Sequence, residues 1–113
     1  MEVVKTRTVD CSDKNEDGHF DWHYEYDLYE FDFGQVKLHA RSYSDTPNEV
    51  HIFAYEKNNK RTVLTDELIK QPEFLKVLRY LRELGVYEKF SYLNSGYPEV
   101  PDFIWEKLDS LET

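Results

Sequence analysis

The sequence predicts an α+β fold: an antiparallel meander sheet of four to five strands, followed by two main helices packed on one of its faces. Three observations carry this expectation. Apolar residues recur with a period of two through the first half of the chain, and the period changes to about 3.6 after Thr65. The early segments are rich in β-branched and aromatic residues and are divided by polar turns. The late segments carry helix signals, with Pro72 and Pro101 at starts and Gly85 at a stop. A chain of 113 residues is expected to form one domain, 1–113, that buries roughly two-thirds of its unfolded surface.

The first strand is expected over about 2–11, where Val3, Lys5, Arg7 and Val9 alternate with Val4, Thr6, Thr8 and Asp10. Neither face is clearly apolar, which suits an edge strand. Ser12–Gly18 is turn chemistry. The second strand, about 19–33, reads HFDWHYEYDLYEFDF. Phe20, Trp22, Tyr24, Tyr26 and Leu28 point one way, as a packed face; His19, Asp21, His23, Glu25 and Asp27 point the other, as an acidic face. Beyond Leu28 the apolar series moves to Tyr29, Phe31 and Phe33, a change of parity that calls for a bulge, a bend or a strand end. Gly34 is either a hairpin turn or a second bulge.

Strands over about 35–43 and 50–56 are expected to pair across the Ser44–Glu49 turn. One face then holds Val36, Leu38, Ala40, Val50, Ile52 and Ala54 and receives the helices. The other holds Lys37, His39, Arg41, Tyr43, His51, Phe53 and Tyr55, basic and aromatic, and stays open unless a partner covers it. A short last strand fits 61–64. The first helical region spans about 66–84, a short turn leading into a main helix at Pro72, with Phe74, Leu75, Leu78, Leu81 and Leu84 as its apolar stripe. Residues 86–93 are ambiguous between a short helix and an extended segment. A final helix over about 101–111 carries Ile104, Leu108 and Leu111 on one side.

Composition bounds the function. Net charge is −9. Residues 1–33 hold ten acids against three bases, and residues 34–113 thirteen against eleven. Such a field repels nucleic acid and anionic membranes and attracts basic partners, so neither nucleic acid nor membrane is an expected partner. With one cysteine, Cys11, no disulfide or thiolate metal cluster can form within the chain. No leader-like apolar stretch opens the sequence, and a cytoplasmic protein is the expectation.

Enzymatic chemistry is poorly supported by these spacings. His19, Asp21, His23 and Glu25 are metal-ligand types, but strand neighbours i and i+2 lie about 6.6 Å apart and His19 and His23 about 13 Å apart. Acid–base work by Asp21, Glu25 or Asp27 needs a concave, dry site that a regular strand face does not offer. Cys11 is expected to be a small packed side chain. No cofactor, metal or catalytic residue is therefore expected, although a small enzyme or metal-binding protein using His, Asp and Glu of the sheet stays as an alternative.

The expected function is non-enzymatic protein binding, through either of two surfaces. The acidic face, Asp21, His23, Glu25 and Asp27, would engage a basic protein, its acids imitating a line of phosphates. The open sheet face, His39, Arg41, Tyr43, His51, Phe53 and Tyr55, would self-associate or bind a partner, because Tyr and Arg dominate interface hot spots. The competing bland reading is intramolecular, with the acidic strand lying beside Lys37, Arg41 or the Lys76/Arg79 stripe. In size, acidity and strand-then-helix order the chain resembles small bacterial proteins of mobile elements, including immunity proteins and antitoxins. That resemblance implies an inhibitor of a basic protein and assigns no residues.

Overall fold

The computed structural model describes residues 1–11, 13–14, 16–18 and 23–112. Six strands and two α-helices follow one another as β1 (Glu2–Cys11), β2 (His23–Asp32), β3 (Val36–Tyr43), β4 (Glu49–Lys57), β5 (Lys60–Thr62), α1 (Pro72–Glu83), β6 (Lys89–Tyr92) and α2 (Asp102–Glu112). The first five strands form an antiparallel meander in chain order. The ambiguous 86–93 segment proves extended: β6 lies parallel to β4, pairing Glu49–Ile52 with Lys89–Tyr92. Both β5 and β6 therefore use the outer edge of β4, at opposite ends of it.

The β1–β2 register runs without interruption from Glu2↔Asp32 to Cys11↔His23. No bulge lies at Leu28–Tyr29, which corrects the expected break in parity. The face assignments change with it. Tyr29 and Phe31 are fully buried against the helices, and Asp27, Glu25 and His23 continue that same side beyond them. Tyr24, Tyr26 and Leu28, expected to be packed, lie on the opposite side of the sheet. Gly34 sits in a tight β2–β3 hairpin turn at φ +94°, where Phe33 donates its backbone N–H to Val36 O at 2.9 Å. Glycine reaches such dihedrals without steric cost.

Among the described residues a bulge falls in β4. His39 faces Ala54, but the next residue, Ala40, faces Ile52, so Phe53 has no partner across the ladder. An inserted residue of this kind reverses side-chain parity beyond it. Val50 and Ile52 join the core as expected. Past the bulge, Tyr55 turns to the core opposite Leu38, and Ala54 leaves it for the side of His39. Two expectations are corrected here, because the alternation of a regular strand assigns both residues to the wrong faces.

The helices cover the Val36/Leu38/Ala40/Val50/Ile52 side with Phe74, Leu75, Val77, Leu78 and Leu81 of α1 and Ile104 and Leu108 of α2. The expected start near 66 is a separate 3₁₀ turn, Leu68–Lys70, whose Leu68 N–H is capped by Thr65 Oγ1 at 3.2 Å. Pro72 then opens α1, and Gly85 follows its end at φ +75°. Leu84 and Leu111, expected in the apolar stripes, are exposed at helix ends, as is Cys11 at the end of β1. Among the described residues no helix is long and apolar enough to cross a membrane.

Candidate functional site: the helix-free face of the sheet

On the side away from the helices, β2, β3 and β4 build a ladder of rings. Tyr26 stands directly opposite Tyr43, their centroids 5.5 Å apart and nearly edge to face. Tyr24 meets the same Tyr43 ring at 6.0 Å. Edge-to-face geometry of this kind directs a positive ring edge at a negative ring face. Beyond Tyr43 comes Arg41, its guanidinium 5.4 Å from the Tyr43 centroid and 4.8 Å from that of Phe53. Phe53 is the residue that the β4 bulge inserts. Arg41 Nη2 also donates to the Tyr97 hydroxyl at 2.9 Å, while its buried Nε has no hydrogen-bond partner among the described residues.

The 94–101 loop, expected only as a connection, folds over the β4–β6 end of this face. Tyr97 packs edge-on against His51 at 5.4 Å, and His51 Nδ1 hydrogen bonds with Ser91 Oγ. The loop is held by an isolated bridge between Ser91 and Glu99. Sequence reasoning missed Tyr97, Ser91 and Glu56 here; the tyrosine in the Gly96–Pro98 turn was the visible signal for the first.

The face is aromatic rather than basic, which revises the expected character of His39 and His51. Burial lowers the His39 pKa, Arg61 lowers it further, and Glu56 only partly opposes this. Its Nε2 lies 3.3 Å from Glu56 Oε1, yet out of line for a hydrogen bond. Burial also lowers His51, against the raising effect of Glu49. Both shifts favour the neutral imidazole. Arg61 hydrogen bonds to Glu56 at 3.0 Å and holds its carboxyl below the usual range. Lys37 is paired with Glu30 at 3.7 Å. Among the described residues of this face, Arg41, sandwiched between rings, is the cation without an acidic partner. Tyr55, expected on this face, packs against the core.

The acidic face lies on the other side of the sheet. Asp21 falls outside the described residues. His23 Nε2 and Glu25 Oε1 are 3.3 Å apart. Asp27 is partnered by Arg7 at 3.2 Å, directly across the ladder, and by Lys5 at 3.8 Å. The neutralising bases come from β1, not from Lys37, Arg41, Lys76 or Arg79. A shallow hollow of about 270 Å³ between the two sides is lined by His23, Tyr24, Glu25, Tyr43, Ser44 and Asp45. Among the described residues no three His, Cys, Asp or Glu side chains are placed to hold a metal ion.

Exposed tyrosines, a stacked guanidinium and two imidazoles supply apolar area with hydrogen-bonding tips. Compared with protein-family models, with curated proteins and with solved structures, the chain matches none of them.

Proposed function

We propose that this chain is a protein-binding module whose docking surface is the helix-free face of its sheet. The observation that carries the reading is the ring ladder of Tyr24, Tyr26, Tyr43, Phe53 and Tyr97 around Arg41, which leaves Tyr24 51% exposed and Tyr97 45% exposed. Rigid aromatic side chains give large contact area at low cost in conformational entropy. The net charge of −9 favours a partner of opposite sign and penalises a second copy of the same chain. A basic protein is thus the favoured occupant, with homodimerisation through the same face as the alternative. The acidic side chains act at long range, by steering, more than by contact, since Asp27 is already partnered within the chain.

Selection of peptides from a random display library on the immobilised chain tests this. The wild type should enrich sequences carrying both bases and apolar residues. A Tyr24→Ser, Tyr26→Ser variant with an unchanged circular dichroism spectrum should not retain them. Retention of the same peptides by that variant overturns the reading. Light scattering at micromolar concentration should give a mass near 13.6 kDa; twice that mass moves the occupant of the face from a basic partner to a second copy.

A further inference from the structure

The outer edge of β1 suggests a second mode of recognition, independent of the helix-free face. Among the described residues β1 pairs with β2 alone, over all ten of its residues. Its outward N–H and C=O groups are a template for a further strand. Of the usual blocks, proline, a bulge and shortness are absent from Glu2–Cys11. What the strand carries instead is a charge pattern. Glu2 and Asp10 stand near its ends on the helix-free side, and Lys5 and Arg7 at its centre on the helix side. The order acid, base, base, acid is the same read in either direction.

That symmetry decides what the edge accepts. Two copies of β1 paired antiparallel over Glu2–Asp10 would set Glu2 opposite Asp10 and Lys5 opposite Arg7. Paired parallel at full overlap, each charge would lie beside its own duplicate. Like charges across a ladder destabilise it, so β1 repels its own copy in both of these registers. The inverse pattern is accepted in both. The ends are the stronger attraction: Glu2 already faces Asp32 across the β1–β2 ladder, and Asp10 faces Tyr24, so β2 offers neither a base. At the centre, Lys5 and Arg7 share the single Asp27 carboxylate and retain net positive charge.

The geometry points to β1 as a strand-addition site for an extended segment of another protein, bearing bases at its two ends and acids at two inner positions on the alternate face. Main-chain hydrogen bonds would supply affinity, and the charge order would supply specificity.

The test uses the full chain labelled with ¹⁵N and two capped peptides as long as the Glu2–Asp10 segment. One has lysine at both ends, glutamate at its fourth and sixth positions, and valine or threonine elsewhere. The other has the sequence of Glu2–Asp10 itself. The first should perturb β1 amides saturably, slow hydrogen exchange of the outward-pointing ones, and bind on the order of tenfold more tightly than the second. A Glu2→Lys, Asp10→Lys variant, altered only at exposed positions, should lose most of that preference. The proposal is overturned if neither peptide perturbs β1, if both bind equally, if the variant keeps the preference, or if the shifts fall on Tyr26, Tyr43 and Phe53 instead. The last result would leave the helix-free face as the sole docking surface, so the two readings fail separately.

Discussion

The Arg41 guanidinium lies 4.8 Å from the centre of the Phe53 ring, and Phe53 is the residue that β4 inserts. Without the bulge, the strand would keep Val50, Ile52 and Ala54 on the core side and Tyr55 on the other. With it, Tyr55 enters the core and Ala54 leaves it, while Phe53 keeps its side and meets a cation that also touches Tyr43 and Tyr97. The inserted residue that reassigns Tyr55 to the core thus also carries a ring of the candidate docking surface.

Arg41→Ala removes two cation–ring contacts and one hydrogen bond. At a partly exposed site these contribute about 1–2 kcal/mol together. Arg41→Lys keeps the charge but not the planar fork, and should recover less than half of the loss. Urea titration at unchanged m-value measures both. A midpoint for Arg41→Ala indistinguishable from wild type would show that the stack contributes nothing to the fold.

Asp27 tests how the acidic strand is held. Lys5 and Arg7 reach the same carboxylate across the β1–β2 ladder, with both bases more than half exposed. Ion pairs in that setting contribute about 0–1 kcal/mol and weaken with salt. Asp27→Asn should destabilise by less than about 1 kcal/mol in dilute buffer and by less still in ~1 M NaCl. A loss above about 2 kcal/mol that persists in salt would make Asp27 a buried anchor instead.

The fold class and the helix-bearing side were legible because the Val36–Ala40 and Phe74–Leu81 patterns are strongly periodic. The faces of β2 were not, and lengths explain why. At about 1.5 Å per residue α1 spans about 18 Å, whereas the ten residues of β2 span about 33 Å. The helix covers only part of the strand. One side of β2 is apolar where α1 lies over it, at Tyr29 and Phe31, and charged where it does not, at Asp27 and Glu25. That change looks like a break in parity but is a change of cover over an unbroken strand. The β4 bulge has no comparable signature, since Phe53, Ala54 and Tyr55 suit either face. Nor does local pattern show that a loop from 94–101 returns to lay Tyr97 on His51, because that contact depends on where β6 docks.

Gly34 and Gly96 make a controlled pair. A Cβ at either position meets no heavy atom within 4 Å, but Gly34 holds φ +94° in the β2–β3 turn. Its N–H also donates to Asp32 Oδ1 at 2.7 Å, fixing the turn. Gly34→Ala should destabilise by about 1 kcal/mol or more, because alanine is strained there; Gly96→Ala should change stability by less than about 0.5 kcal/mol. Equal thermal midpoints for the two variants would refute the backbone argument.

His39 gives the chain a predictable acid sensitivity. It is 4% exposed, and burial, reinforced by Arg61, depresses its pKa in the folded state below the ordinary 6.5. Between the two values the unfolded chain binds a proton that the folded chain does not. The slope of unfolding free energy with pH is then positive, so stability rises with pH through this window and is lost as pH falls below about 6.5. One such group changes stability by at most ~1.4 kcal/mol per pH unit. His51, lowered by burial in the same direction, adds to it. Glu56, whose carboxyl Arg61 holds low, loses its contribution at lower pH, through the carboxylate range. Urea midpoints from pH 7.5 to 5 should therefore fall for the wild type and fall less steeply for His39→Gln, which keeps a polar group beside Glu56 without a titrating proton. If the two curves run parallel across that range, His39 is not buried as a neutral imidazole.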